Sequence, residues 1–230
     1  MKRALMSFLI GLTLPFTVWA NALEDGRRAY GASDYASARG HWESIQNQKG
    51  PTGLWAKYYL GVLYEHGLGV EQDRAKARDL YYPTFVEFSG YLMLEEDKLI
   101  ANQALPIDAI HRMSMIDLST ALEMEQSDDR KMREKATQML QELRVHLDIA
   151  GFYRHAESFY QLGLIDLEGT GKRFIRNKET AWVHFTLAGE LGHLQAQKEA
   201  DQLWAEFGRV KRKDARKTLE SYRPYIRPPY

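Results

Sequence analysis

Apolar residues recur every three or four positions along most of the chain, which is the spacing of one face of an α-helix. The clearest case is the segment 128–149, whose apolar stripe contains Met132, Ala136, Met139, Leu140, Leu143 and Leu147. The segments 84–104 and 106–124 show the same periodicity, and Pro106 between them suits the first turn of a helix. No run of β-branched residues alternates over more than a few positions, so the pattern predicts an all-α fold.

Two stretches of the chain repeat one arrangement of small, aromatic and polar residues. The second copy has a two-residue insertion in its loop. Before the insertion the coinciding positions are Leu60 and Leu162, Gly61 and Gly163, Tyr64 and Asp166, Gly67 and Gly169, and Gly69 and Gly171; after it they are Asp73 and Asn177, Ala77 and Ala181, and Tyr81 and Phe185. Gly61 and Gly163 should let a neighbouring helix approach closely. The later glycine pairs suit a helix end followed by a tight turn, and the aspartate or asparagine suits the N-cap of the next helix. Each copy therefore predicts a hairpin of two helices whose inner face needs neighbouring hairpins to cover it.

The apolar positions of the repeat have predicted packing roles. Leu60 and Leu162 should fill the space between the paired helices, and Ala77 and Ala181 should keep side chains small where the two helices cross. Because the two copies coincide at these positions, the same role is expected in both.

These motifs resemble the Sel-1-like repeat, a subclass of the tetratricopeptide-like α/α repeats. The copy at 54–82 follows the family pattern without a gap. The copy at 156–197 departs from the pattern at Asp166 and Thr180, and then recovers it through Ala188, Gly189, Gly192, His193 and Ala196. The resemblance implies a short α/α superhelical solenoid that works in protein–protein interaction rather than in catalysis.

Shorter pieces of the pattern lie around the two copies. Residues 30–42 resemble the second helix of a preceding, incomplete unit, and residues 193–207 resemble the opening helix of a third. The middle segment, 84–150, departs from the pattern and is predicted to be helical filler, degenerate repeats or an insertion. Together these parts predict one α/α repeat domain over residues 23–208.

The first 22 residues have the composition of a secretory signal peptide. Lys2 and Arg3 precede an apolar stretch that runs to residue 19, and Ala20-Asn21-Ala22 provides a small-residue cleavage site. The alternative is an uncleaved anchor in the inner membrane, but sixteen residues interrupted by Pro15 are short for a spanning helix. We therefore expect cleavage after Ala22 and export, most simply to a bacterial periplasm.

Candidate chemistry is sparse. The chain has no cysteine, which excludes disulfides, thiol nucleophiles and cysteine-ligated metals. None of its seven histidines stands in an H-x-x-x-H arrangement, and no nucleophile elbow, phosphate loop or dinucleotide fingerprint occurs. The glycines of Gly169-Thr170-Gly171-Lys172 are explained by the repeat. We expect no enzymatic activity, no metal and no cofactor.

Two groups of residues are candidates for partner binding. The first is Trp55 and Tyr59, one helical turn apart, which could line the concave face that first helices form in such arrays. Burial of both rings in the packing is the alternative. The second group belongs to the C-terminal tail and consists of Arg223, Tyr225, Arg227 and Tyr230.

Charge separates the tail from the rest of the chain. The whole sequence has 31 basic and 31 acidic residues, but 23–208 carries a net charge of −8 and 209–230 a net charge of +6. A basic helix over 211–221 could dock on the acidic body, with the proline-containing end at 222–230 extended. Alternatively, the tail is an arm for an anionic partner such as an acidic polymer or a membrane surface. Because we expect export, nucleic acid is excluded as a partner.

Three functions are compatible with these features. The first is an exported periplasmic adaptor that binds another envelope protein in a complex for assembly, secretion or signalling. The second is a carbohydrate- or peptidoglycan-associated module that uses exposed aromatic rings and the basic tail. The third, a cell-wall hydrolase, requires a pair of carboxylates that face a cleft.

Overall fold

The computed structural model describes residues 16–92, 106–169 and 176–226. Several predicted features lie outside the described residues. These are most of the signal peptide, part of the middle segment, Gly171 in the second repeat loop, and Arg227 and Tyr230 in the tail.

The described residues form ten α-helices and one short 3-10 turn, and no strand occurs among them. The predicted all-α fold is therefore confirmed. The helices are α1 (Phe16–Gly31), α2 (Tyr35–Ile45), α3 (Pro51–His66), α4 (Arg74–Leu92), α5 (Ile107–Glu125), α6 (Arg130–Phe152), α7 (Ala156–Glu168), α8 (Lys178–Glu190), α9 (Leu194–Glu206) and α10 (Arg209–Tyr222), followed by the turn Arg223–Tyr225.

Neighbouring helices pack in the order of the chain. α1 lies on α2, α3 on α4, α5 on α6, and α7 on α8, so these helices form hairpins. α2 also contacts α3, α4 contacts α5, and α6 contacts α7, which stacks each hairpin on the next. Both α9 and α10 pack against α8. This is the architecture of an α/α repeat solenoid, in which each hairpin covers the inner face of its neighbour.

A glycine meets an aromatic ring where the two helices of a hairpin cross. An added Cβ would lie 2.2 to 2.4 Å from the ring in each case, so only glycine permits this approach. The pairs are Gly61 with Tyr81, Gly163 with Phe185, and Gly26 with Trp42. The first two pairs stand at coinciding positions of the repeat. The third shows that α1 and α2 build a hairpin of the same kind in front of the first repeat.

The four residues with predicted packing roles are buried, but the two copies place them differently in the core. In the second copy Leu162 and Ala181 belong to one core cluster, which the helices from α5 to α10 share. In the first copy Leu60 lies in a cluster with side chains of α2, whereas Ala77 lies in a separate cluster with side chains of α5. In the first copy each residue thus packs toward a different neighbouring hairpin, although Leu80 of α4 adjoins the Leu60 cluster and Val62 of α3 belongs to the Ala77 cluster.

The repeat turns have the conformations that their residues favour. Gly67, Gly69 and Gly169 all have positive φ, between 65° and 72°. The side chains of Asp73 and Asn177 each accept a hydrogen bond of 2.9 Å from the backbone N–H three residues further on. These caps begin α4 at Arg74 and α8 at Lys178.

The described part of the middle segment forms one further hairpin, α5 with α6. Ser114 is buried where the repeats have glycine, and its hydroxyl donates to the Ile110 carbonyl at 2.8 Å. Asp117, three residues later, stands where Asp166 stands in the second repeat. The hairpin therefore packs against its neighbours in chain order as the repeats do, although its sequence lacks the motif.

The predicted helix boundary at residue 84 is wrong. α4 continues through Pro83 as far as Leu92, so the second helix of the first repeat is longer than its motif. Proline removes one backbone donor from the helix interior. Tyr81 and Thr84 on either side of it are fully buried, and this packing holds the helix together.

α1 runs across the predicted cleavage site after Ala22. The part that would remain, from Leu23 onward, packs against α2 and α3, and the Trp42 indole donates to the Leu23 carbonyl at 3.3 Å. Within the described residues, no helix combines the length and the apolar character needed to cross a membrane.

Candidate interaction surfaces

The two aromatic candidates on α3 lie in the packing between α2 and α3. The Tyr59 ring stacks on Trp42 at a centroid distance of 4.8 Å and on Trp55 at 5.7 Å. Both candidate rings are half-buried, and burial raises the pKa of Tyr59. The structure therefore gives these rings a packing role, and partner binding by Trp55 and Tyr59 stays a prediction.

The tail begins with a turn rather than with the predicted extended arm. Residues 223–225 form a 3-10 turn, and Pro224 fits it because the first residues of a helix need no backbone donor. Arg223 pairs with Glu190 at 2.6 Å. The Tyr225 ring lies 5.6 Å from the Phe152 ring, although 65% of its surface is exposed. Both described tail candidates thus contact the chain itself.

α10 docks on the body, as one of the two interpretations of the basic tail expects. Ala215 and Leu219 are buried in the main hydrophobic core. Lys211 pairs with Glu179 of α8 at 2.8 Å, and the Arg212 and Arg216 guanidinium groups lie over the Trp204 ring. The helix is therefore fixed along its length.

One polar network joins α3, α5 and α7 around Asp108. The Asp108 carboxylate accepts hydrogen bonds from the Tyr58 hydroxyl at 2.7 Å and from Arg112 Nε at 2.5 Å, and it lies 3.2 Å from His155 Nε2. Burial alone raises the pKa of Asp108, but the hydrogen bonds from His155, Tyr58 and Arg112 outweigh it and lower this pKa overall. Arg112 extends the network to Glu65 at 3.0 Å.

Ser158, His155 and Asp108 follow one another in this network, which is the composition of a catalytic triad. The Ser158 hydroxyl lies 2.9 Å from His155 Nδ1 and 3.2 Å from His111 Nδ1. Its side chain is fully buried between the helices, so a substrate carbonyl has no path to it. The arrangement holds α5 against α7 and does not provide an accessible nucleophile.

His111 makes stability depend on pH. Burial, with a smaller contribution from His155, lowers the pKa of His111 to about 4. The unfolded chain, with a histidine pKa near 6.5, therefore binds more protons between about pH 4 and 6.5. Acidification through that window should remove up to about 3 kcal/mol of stability. We expect urea titrations of His111→Gln to show a shallower loss across this window; profiles parallel to the parent would contradict the assignment.

A second buried network joins α6, α7 and α8 around Asp166. Its carboxylate accepts two hydrogen bonds from Arg144, at 2.6 and 3.1 Å, and lies 2.7 Å from His184 Nδ1. His184 is fully buried, and burial acts to lower its pKa, but the carboxylates of Asp148 and Asp166 raise it overall. Arg78 binds Asp117 in the same two-point manner between α4 and α5. These pairs fasten hairpin to hairpin.

The carboxylates of these networks do not form a metal site. Among the described residues, no group of three or more histidine, aspartate or glutamate side chains is arranged to hold an ion. Each network carboxylate instead pairs with an arginine or a histidine. Asp117 and Asp166 pair with arginines of other helices, whereas Asp108 pairs with an arginine of its own helix and with His155. Sequence spacing did not reveal the pairs between helices, because their partners are far apart along the chain.

A groove runs along α5 between the start of α4 and the first half of α6. Two cavities of about 260 and 470 Å³ form it, and they share Arg74 and Ile116 in their linings. The larger cavity is lined by apolar and by charged side chains. The apolar residues include Ile116, Met124 and Met139, and the charged residues include Arg74, Lys135 and Glu142.

Another cavity, of about 500 Å³, lies between the α2–α3 loop and α4. Amide and charged side chains make up much of its lining, including Asn47, Gln48, Lys49, Lys57 and Glu87. Its lining lacks the methionines that distinguish the groove along α5.

Comparisons with known proteins concern the repeats. Residues 56–83 and 156–193 match the family model of the Sel1 repeat, so the resemblance carried by the motif residues is confirmed. No curated protein matches the chain. The solved structure of c5321, a protective antigen present in uropathogenic Escherichia coli strains that displays an SLR fold, is similar over 90% of this chain, with 14% identity and a TM-score of 0.34. The match covers 54% of that protein's chain.

Proposed function

Because the chain carries two Sel1 repeats, we propose that it is an exported adaptor of the bacterial periplasm that binds another protein of the cell envelope. Sel1 repeats generally mediate protein–protein interaction, and the fold that they build is typically a non-catalytic scaffold. The charged start, apolar stretch and Ala20-Asn21-Ala22 site support export. A complex for envelope assembly, secretion or signalling is the setting that we propose.

The groove along α5 is the observation that carries the proposal. Its larger cavity has the volume of a ligand site and is lined by both apolar and charged side chains. Two of its apolar lining residues, Met124 and Met139, have flexible and polarisable side chains that adapt to an inserted apolar side chain. The groove therefore suits a peptide segment of a partner, with an apolar residue held against these side chains.

The other polar surfaces are less suited to a partner. The groups around Asp108 and Asp166 are buried and bind one another across the helix interfaces. A partner would have to displace these hydrogen bonds before it could use the groups, and each displaced buried group would need a new partner. The apolar side chains that line the groove can be contacted without such an exchange.

Photocrosslinking in intact cells tests this proposal. A photoreactive amino acid replaces Gln138 at the groove or Gln195 on α9; both glutamines are exposed, and each donates to a glutamate one turn further on. We expect position 138 alone to yield a discrete crosslink to a second protein, recovered in the periplasmic fraction. The same product from both positions, or none from position 138, would contradict the groove as the binding site.

A further inference from the structure

Three basic side chains of α10 form a line on its outer surface. Arg209, Lys213 and Lys217 are spaced by four residues, so they lie on one face of the helix, and all three are exposed. In the described part of the chain, no acidic side chain lies within 4 Å of any of them, whereas Lys211 and Arg223 are ion-paired. We call these three residues the α10 stripe.

The body holds the α10 stripe in a fixed orientation. Ala215 and Leu219, on the opposite face of α10, are buried against α8 and α9. Ion pairs fix both ends of the helix, from Lys211 to Glu179 and from Arg223 to Glu190. The three cations are therefore presented together, and a ligand does not have to order the helix when it binds.

The α10 stripe also differs in charge from the surface around it. Residues 23–208 carry a net charge of −8, so a long acidic ligand is repelled from most of the molecule and attracted to this helix. Charge complementarity of this kind fixes where and in which orientation a partner docks.

We propose that the α10 stripe binds an acidic segment of the partner protein, with carboxylates spaced at about one helical turn. The proposal rests on the proposed function in that the partner is a protein. A bilayer fits less well, because the apolar face of α10 is already buried in the body and Val210 is the one large apolar side chain that the helix exposes. Helices that bind a membrane interface place their apolar face in it.

A binding assay with a defined peptide tests the proposal on the chain from Leu23 to Tyr230. The probe is a fluorescent alanine-based helical peptide with glutamates at every fourth position, and the same peptide with glutamines is the control. We expect the glutamate peptide alone to bind, and its affinity to fall as salt rises from about 50 to 300 mM.

Matched charge reversals locate the binding. The pair Lys213→Glu and Lys217→Glu should weaken peptide binding by about ten-fold or more, because it replaces attraction with repulsion at the stripe. The pair Lys131→Glu and Lys198→Glu changes the net charge equally at exposed positions on α6 and α9, and should leave the affinity within about two-fold. Equal losses in both pairs, or no binding by the parent chain, would overturn the proposal.

A second experiment, with lipid vesicles, distinguishes binding to a protein from binding to a lipid surface. Cosedimentation with phosphatidylglycerol vesicles that is lost in the Lys213→Glu and Lys217→Glu variant, together with no peptide binding, would assign the stripe to a bilayer and overturn the proposal. The crosslink from position 138 is scored separately. If it persists while the peptide does not bind, only the stripe assignment fails; if it is absent, the adaptor itself is in question.

Discussion

The Asp166→Ala variant is expected to lose about 3–5 kcal/mol of unfolding free energy, the largest effect that we expect from a single substitution. The carboxylate has a side-chain exposure of 8% and binds both Arg144 and His184. Its removal leaves a fully buried imidazole and a partly buried guanidinium without their shared partner, and an unsatisfied buried group costs its whole desolvation energy. Urea unfolding followed by far-ultraviolet circular dichroism measures the loss.

An exposed ion pair provides the control for this variant. Arg130 and Glu134 lie 2.7 Å apart on α6, with side-chain exposures of 85% and 60%. Glu134→Ala should change the unfolding free energy by less than about 1 kcal/mol, because water screens such pairs. Similar losses in Asp166→Ala and Glu134→Ala would show that the buried network does not fasten the hairpins.

The Gly163→Val variant is expected to lose about 2–3 kcal/mol, the second largest effect. A Cβ at this position would lie 2.4 Å from the Phe185 ring, so α7 and α8 must separate or the ring must leave its position. The same crossing is made by Gly61 with Tyr81. The decrease in the midpoints of thermal unfolding and of urea unfolding measures the effect.

Gly40→Val controls for the change of residue type. Gly40 also lies inside a helix, but a Cβ there meets nothing within 4 Å. Valine has a slightly better helix propensity than glycine, so this variant should be as stable as the parent or slightly more stable. A stable Gly163→Val protein would contradict the close crossing of the two helices.

The elements that the sequence predicted well are local ones. Turn glycines and the caps Asp73 and Asn177 act within a few residues, so their pattern indicates both the turns and the starts of α4 and α8. The pairing of Gly61 with Tyr81 also follows from the repeat, because the turn sets the register between the two helices.

The remaining features depend on contacts between hairpins. Asp108 and His155 are 47 residues apart, and no spacing rule brings them together. Helices over 106–124 and 128–149 were predicted, but their pairing was not, because Ser114 stands in place of a glycine and the motif is absent. The groove was not predicted because it arises only when α4, α5 and α6 are assembled.

The composition of the core clusters also depends on contacts between hairpins. Leu162 and Ala181 share a cluster, while Leu60 and Ala77 at the coinciding positions do not. The motif indicates that each of these side chains is buried, because burial follows from the helix face. Which neighbour covers the side chain depends on the adjoining hairpin, and the motif carries no information about it.

The tail shows how composition can mislead about conformation. Its prolines predicted an extended end over 222–230, but residues 223–225 form a 3-10 turn, because the first turn of a helix tolerates proline and Arg223 pairs with Glu190. Among the described basic residues of the tail, Arg209, Lys213 and Lys217 have no acidic side chain within 4 Å and lie on the outer face of α10.

The most direct test of the central claim is the affinity of the crosslinked partner for a chain whose groove is filled. Ala75 is exposed and lines the larger cavity, whereas Ala205 is exposed on α9 away from it. We expect Ala75→Trp to weaken binding by about ten-fold or more while Ala205→Trp binds within about two-fold of the parent, since a bulky ring excludes an inserted side chain. Full affinity of Ala75→Trp would contradict binding in the groove.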